Sequence, residues 1–353
     1  MKRRLAVSSA AAALLAAATA LSGCSHSSPG ASGPTGAPAP AGEITLYSAQ
    51  HDQTTKALMA GFTEQTGIKV NEVKVDEDGM VAKIEQEGAK SPADVVFTEN
   101  SPVLAQLDRK GLLAKVDAAT LAAVPPADSD PAGNWVGVSA RLSGVTYNPD
   151  KVAEADLPKS VLDLAGPQWK GRIELAPGET DFWPIVASVQ HAVGKERTLA
   201  WLNGLKANAG ANDNVPSNET LAADINQGNT DLGVLNQYYY YRLKAEVGDA
   251  SVHSKFAFFA PHDPGYVKNI SGAAVLKSSK NPAAAQKFLA YLTGKSGQTI
   301  IATSDSFEYP LAPGVAANSV LPPLDTLAPN DFSVAQMGTD EVAEDLLKQA
   351  QLL

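Results

Sequence analysis

Ile44-Thr-Leu-Tyr-Ser48 is a short β-rich run, and the segment after it decides the fold. From Asp52 to Thr66, Ala57, Leu58 and Phe62 keep the spacing of one helix face, and Gly67 supplies a stop. Ile68 to Val75 then reads as a second strand. Strand, helix and strand within about 30 residues make a βαβ unit, which predicts a parallel sheet. Further on, Ala93-Asp-Val-Val-Phe97 is another buried-type strand, followed by a helix through Val103, Leu104 and Leu107. A second α/β region begins near Tyr147. It carries one long amphipathic stretch, Phe182 to Leu205, and a strand, Asp231 to Leu235, running into Gln237 to Val247. No internal repeat is visible. The pattern predicts two α/β lobes.

The 353 residues give room for about two domains at roughly 150 residues each. With 44% hydrophobic and 19% charged residues, most of the chain is expected to form packed cores. That excludes a largely disordered chain, a collagen-like repeat and a multi-span membrane protein. A net charge of −10 argues against a nucleic-acid partner, because neutralising phosphates takes clustered Lys and Arg. The one cysteine, Cys24, excludes an intrachain disulfide and any multi-cysteine metal site.

Lys2, Arg3 and Arg4 precede an alanine-rich apolar run, Leu5 to Leu21, closed by Ser22, Gly23 and Cys24. A charged start, a short greasy stretch and small residues at its end predict a secretory signal over residues 1–23. Leu21-Ser-Gly-Cys24 resembles the bacterial lipobox, which implies lipidation of Cys24; an ordinary signal peptide is the alternative. Losing residues 1–23 removes three cations and no anion, taking the net charge from −10 to −13. Residues 24–42, uncharged and rich in Ser, Gly, Pro and Ala, read as a flexible tether. The expected location is outside the cytoplasm, on the outer face of the bacterial cell membrane or in the periplasm, held by a lipid anchor.

In open α/β sheets, ligands bind beyond the carboxyl ends of the strands, where helix N-termini present free N–H groups. His51 follows the first strand, Glu99 follows Ala93–Phe97, and Tyr238-Tyr239-Tyr240-Tyr241 follows Asp231–Leu235. Four of the nine tyrosines are therefore consecutive. At about 100° per residue they cannot all face one core, although adjacent hydroxyls can converge beyond a helix N-terminus. Packing aromatics are the bland alternative.

Phenolate is a hard, anionic oxygen donor suited to a small, highly charged cation such as Fe(III), and tyrosine ligates iron in one class of haem protein. Two phenolates, one carboxylate and one imidazole carry three negative charges, which balance Fe(III). Zinc and copper would favour several histidines or cysteines, whereas His26, His191, His253 and His262 show no ligand spacing. Enzyme motifs are missing: no H-E-x-x-H, G-x-S-x-G or complete G-x-G-x-x-G occurs. Gly294-Lys-Ser296 ends like a P-loop, but Leu289 stands where the first glycine belongs. The chain is not expected to be an enzyme, the remaining enzyme reading being a metal-assisted hydrolase built on His51 and Glu99.

From residue 43 onward the sequence resembles the ferric-iron-binding members of the type II extracytoplasmic solute-binding proteins, which serve ABC importers. The markers include Tyr47-Ser-Ala-Gln-His51, Ser91-Pro-Ala-Asp-Val-Val-Phe-Thr-Glu99, Trp169-Lys-Gly-Arg-Ile173, Asn236-Gln-Tyr-Tyr239, His262-Asp-Pro-Gly265 and Glu308-Tyr-Pro-Leu311. The resemblance implies Fe(III) as transported ligand, held by His51 and Glu99 from one lobe and Tyr238 and Tyr239 from the other. A synergistic anion, carbonate or phosphate, completes the coordination in many members. Asn218 and Asn236 match positions that hold it, Asn100 matches less closely, and Arg141 and Thr180 are further candidates. The sequence departs from the family at Gly178-Glu-Thr-Asp181, where some members carry a small Ser-Gly-Ala run. Glu179 and Asp181 would repel a phosphate there, and Asp181 would either meet the metal or face away.

The implied fold is a two-lobed type II periplasmic-binding-protein fold, with a ligand cleft between lobes joined by crossover strands near 136–148 and 257–275. The expected first lobe comprises residues 43–141 and 269–310, the second 142–268, and 311–353 form a C-terminal helical segment. The implied partners are an importer's permease and its ATPase, with the membrane reached through the anchor and the chain acting as a monomer. The competing solutes for the same fold are thiamine, a polyamine or an oxyanion.

Overall fold

The computed structural model describes residues 42–353. The signal sequence, Cys24 and nearly all of the tether lie outside the described residues. Eight strands order the rest: β1 (Glu43–Ser48), β2 (Lys69–Lys74), β3 (Val95–Thr98), β4 (Val136–Tyr147), β5 (Leu232–Asn236), β6 (Lys255–Ala257), β7 (Lys268–Val275) and β8 (Tyr309–Pro310). Strand β1 pairs in parallel with β2 on one side and β3 on the other. The helix between β1 and β2, Asp52–Thr66, starts where the His51 carbonyl accepts the amides of Thr54 and Thr55, both at 3.0 Å. It stops at Gly67, whose φ of 72° is the left-handed turn that ends many helices.

Among the eight strands, parallel pairing is confined to that corner, with one isolated parallel bridge between Ile173 and Leu232, so the sheet is mixed and not the parallel one expected. The path runs β2-β1-β3-β7-β4-β5, with β6 and β8 also paired to β4. Every pair that β4 makes is antiparallel. All twelve residues of β4 are buried, because it belongs to two sheets in succession. Residues Val136 to Leu142 bond to β7, whereas Ser143 to Tyr147 bond to β5. Buried along its whole length, β4 still carries Ser139, Arg141, Ser143 and Thr146 among its apolar residues. It makes a stiff connection.

Two further expectations need correction. Phe182 to Leu205 is two helices, Trp183–Val193 and Lys195–Ala209, because Gly194 lies between them at φ 82°. The segment 311–353 is helical only late, at Val334–Met337 and Glu341–Gln349. Pro313, Pro322, Pro323 and Pro329 keep an α-helix out of its first half, which holds only the single 3-10 turn Leu324–Thr326, since each lacks an amide donor and clashes with the preceding turn. Its last helix packs on Trp183–Val193 and Lys195–Ala209, while Val334–Met337 rests on the helix Ser101–Arg109.

Most buried apolar side chains form one large core, but Ala176, Leu221, Ala222, Ile225, Leu235, Tyr238, Tyr239 and Phe307 form a small separate one. Both tyrosines are thus set into an apolar bed. Among the described residues no helix is long and apolar enough to cross a membrane.

The entry to β4 carries a register shift between Gly137 and Ser139. A Cβ on Gly137 would overlap the Asp128 carbonyl oxygen and come within 3.0 Å of Leu311 Cδ1. Gly137→Ala is therefore expected to destabilise the protein by about 1–3 kcal/mol, the usual range for overpacking a tight site. An unchanged urea midpoint would show that the loop before β4 yields without strain.

Candidate metal centre

Three helices aim their N-termini at one cleft. His51 caps Asp52–Thr66, Asn100 caps Ser101–Arg109, and Asn236 caps Gln237–Val247. Each cap has extended backbone, and β5 runs directly into its helix while one or two residues separate the other two strands from their caps. The His51 side chain takes no part in capping; Gln50 instead accepts the His51 amide at 2.7 Å and donates to Ser271 at 2.9 Å. That anchorage fixes the strand end and leaves the imidazole to the cleft. The unpaired amides at these helix ends favour negative charge in front of them.

The cleft gathers the side chains singled out from sequence. His51 Nε2 lies 3.2 Å from Glu99 Oε1 and 3.2 Å from the Tyr238 hydroxyl. Tyr238 and Tyr239, though consecutive, place their ring centres 4.2 Å apart and donate to the same oxygen, Asp181 Oδ2, at 2.6 and 2.9 Å. Ligands at roughly 2 Å from a small octahedral cation stand about 2.9 Å apart when at right angles. The spacings here match such an edge. Among the described residues no three His, Cys, Asp or Glu side chains alone are arranged to hold a metal ion. Any metal in this cleft depends on the phenols.

Electrostatics divides the site between buried carboxylates and two guanidiniums. Burial lowers the His51 pKa well below the usual histidine value, and Arg242 and Arg141 lower it further. These effects favour a neutral His51 imidazole, the form that binds metals. Burial raises Glu99 well above the ordinary carboxylate range, helped by repulsion from Asp181 and opposed by Arg141. Burial also raises both phenols well above 10, with Asp181 adding to the effect. For Tyr238, Arg141 and Arg242 pull the other way, their guanidinium carbons lying 5.7 and 4.2 Å from its ring centre.

Arg141 has no exposed surface. It donates to the Glu99 carbonyl, and its other nitrogens stand 3.5 Å from Glu99 Oε2 and 3.9 Å from Asp181 Oδ1. Arg242 lies 3.8 Å from the fully buried Glu308. Of the remaining candidates, Asn218 donates to the Tyr239 oxygen at 3.1 Å. Asn236 is buried at the strand end, and its amide nitrogen has no hydrogen-bond partner among the described residues. Thr180 donates to Glu77 Oε2 at 2.9 Å and accepts from Asn100 at 3.1 Å, so these two tie the cleft walls together through Glu77. Sequence reasoning leaves Asp181 between two alternatives, and it faces inward. It misses Arg242, although the i, i+4 spacing from Tyr238 on one helix is a usable signal.

Residues 57–326 match the bacterial extracellular solute-binding protein family, and the chain belongs to it. This is a family of solute-binding proteins and not of enzymes. The Fe(3+)-binding periplasmic protein of Serratia marcescens is 41% identical over 310 residues, covering 88% of this chain and 90% of its own. The major ferric iron-binding protein of Neisseria meningitidis serogroup B is 36% identical over 313 residues, covering 87% and 92%. The crystal structure of iron-bound HitA from Pseudomonas aeruginosa superposes with a TM-score of 0.83 at 39% identity, covering 87% of this chain and 99% of that one. The mixed α/β architecture is thus the two-lobed fold of the type II periplasmic binding proteins.

Among the described residues Arg141 is the one cation within 4 Å of both Glu99 and Asp181. Arg141→Met is expected to cost about 3–5 kcal/mol, since removing one partner leaves buried charges uncompensated. Denaturant unfolding of the metal-free protein measures it, and a loss below about 1 kcal/mol would mean that the carboxylates are neutral when iron is absent.

Proposed function

We propose that this protein binds Fe(III) in the cleft, outside the cytoplasmic membrane, and delivers it to an ABC importer. The observation that carries the reading is the meeting of His51 with Glu99 and Tyr238 at 3.2 Å each, from strand ends far apart in sequence, with Tyr239 joined to Tyr238 through the Asp181 oxygen they share. The relatives' ferric-iron binding supports it. Each donor type suits a hard trivalent cation, and the negative charges of one carboxylate and two phenolates equal that of the ion. Iron is cargo here, so the site must bind tightly and still let go.

In this reading residues 43–141 with 269–310 form the lobe carrying His51 and Glu99, and 142–268 the lobe carrying the tyrosines. Only the closed arrangement makes all the bonds, so iron shifts the population toward it. The importer's permease would recognise that closed form, and its ATPase would power release. Lipidation at Cys24 would tether the protein through residues 25–42. A lipid anchor keeps a binding protein near its importer without a spanning helix.

Titrating the purified protein with iron under air, followed by visible absorption, tests the reading. A phenolate-to-iron charge-transfer band that saturates at one equivalent is expected, and its absence would overturn Fe(III) as the ligand. Tyr238→Phe and Tyr239→Phe should each abolish the band while leaving the far-ultraviolet circular dichroism unchanged. Colour retained in both variants would remove the tyrosines from the ligand set.

Acid should weaken binding. Both phenols and Glu99 have raised pKa values and must lose their protons to the metal, so binding releases protons. Affinity is then expected to rise with pH between about 6 and about 8. Equal affinities across that interval would show that the ligands are already ionised before iron arrives.

A further inference from the structure

We infer that Glu77 and Thr180 form a clasp across the mouth of the cleft, built of protein groups alone, which holds the two lobes together and sets how fast iron leaves. The clasp rests on the Fe(III) reading for its cargo and on the lobe division given with it. Its residues make no hydrogen bond to His51, Glu99, Tyr238 or Tyr239.

Glu77 opens the helix Glu77–Glu87, and its carboxylate takes up three donors. Oε1 accepts the Asn100 amide at 2.7 Å. Oε2 accepts the Asn100 side chain at 2.7 Å and the Thr180 hydroxyl at 2.9 Å. The Asn100 side chain also donates to Thr180 Oγ1, at 3.1 Å, which closes a triangle. Its oxygen accepts from Asn269 on β7, so the triangle stands on the sheet. Glu77 and Asn100 belong to the lobe of His51. Thr180 belongs to the tyrosine lobe, 103 and 80 residues away from them in sequence, on the turn Thr180–Phe182.

Glu77 and Thr180 line the open mouth of the cleft, about 390 Å³, beside His51, Glu99 and Tyr239. Parting the lobes breaks both Thr180 bonds and leaves Asn100 on Glu77. The His51–Tyr238 contact also crosses the cleft, but in the loaded protein both its partners are given over to iron. The clasp is not, so it acts with or without metal.

Glu77 is 7% exposed and makes no ion pair among the described residues. A buried carboxylate satisfied by hydrogen bonds alone depends on each donor. Burial raises the Glu77 pKa, and the bonds from Asn100 and Thr180 oppose that rise. Hydrogen bonds to an ionised acceptor are about twice as strong as neutral ones. Losing one across the cleft therefore favours the open arrangement by about 10-fold or more.

The test compares the full chain with Glu77→Gln, Thr180→Val and Thr180→Ser in two measurements. Small-angle X-ray scattering of the metal-free proteins reports how far the lobes part. Decay of the iron charge-transfer band in excess chelator, followed by stopped flow, reports release. Without metal, Glu77→Gln and Thr180→Val are each expected to show a larger radius of gyration than the wild type. Each should also release iron about 10-fold faster or more. Thr180→Ser restores the hydroxyl and should match the wild type in both measurements. The band should keep its wavelength in Glu77→Gln, since none of the four iron donors is touched. With both Glu77→Gln and Thr180→Val present, release should be no faster than in the faster single variant, because one contact is lost in either case.

Unchanged radii in both variants, or release within about 2-fold of the wild type, overturn the clasp and leave Fe(III) binding intact. An effect in Glu77→Gln alone assigns it to the lost charge and overturns the clasp as well, as does a shifted band in that variant. No band in the wild type overturns the Fe(III) reading, while scattering from the metal-free proteins still decides whether the clasp exists. Thr180→Val keeps the side-chain shape on a half-buried turn, so it decides the matter even where Glu77→Gln fails to fold.

Discussion

A guanidinium without any exposed surface sits where the two sheets join. Arg141 lies on β4 at the last residues that pair with β7, just before the strand turns to β5. Its charge is what allows Glu99 and Asp181 to be buried near one another. An uncompensated carboxylate in such surroundings would take up a proton and cease to be a ligand. The acidic centre therefore depends on one arginine, held by backbone that is itself buried on both faces. The pairing also fixes geometry, because Arg141 donates to the Glu99 carbonyl as well as facing its carboxylate.

The same strand explains how residues from distant segments meet. His51 and Glu99 lie just beyond the ends of β1 and β3 on one side, while β5 ends at Asn236 and leads into the tyrosines on the other. Since β4 is continuous between the two sheets, the strand ends approach along a common axis. Gln237 reinforces the junction, accepting the Leu142 amide at 2.7 Å and donating to the Phe307 carbonyl at 2.9 Å. Tyr238 follows it immediately and inherits that placement. Its ring then lies between two guanidiniums, which partly offset the burial that would otherwise keep the phenol protonated.

Much of this is legible in the sequence. His51, Glu99 and the tyrosine run each follow an apolar strand, and a helix begins at once after His51 and Asn236. Strand-end placement needs only local patterning, so local reading finds it. The expectation of a parallel sheet fails because β7 arrives antiparallel through pairing with partners about 180 residues away in sequence, beyond any local signal. The split at Gly194 and the irregular stretch after Leu311 are signalled by one glycine and a series of prolines, which override helical periodicity in both places. Asp181 is different. It lies on a short turn with no periodic pattern, and its bonds to Tyr238 and Tyr239 span 57 and 58 residues. Its sequence context shows an acidic residue in an unusual place, and only the fold shows which way it points.

The half-sites differ in how completely they are assembled. Tyr238, Tyr239 and Asp181 form a hydrogen-bonded unit of their own, seated on the small core of Leu221, Ile225 and Leu235, with Asn218 donating to the second phenol. His51 and Glu99 stand just beyond strand ends of the opposite sheet, and the 3.2 Å His51–Tyr238 contact and Arg141 tie them to that unit. Glu77 adds a link between Thr180 and Asn100. A small cation would convert these few polar contacts into bonds at about the same spacing. Neutral organic solutes would have to separate groups that already touch. A small cation needs only their protons.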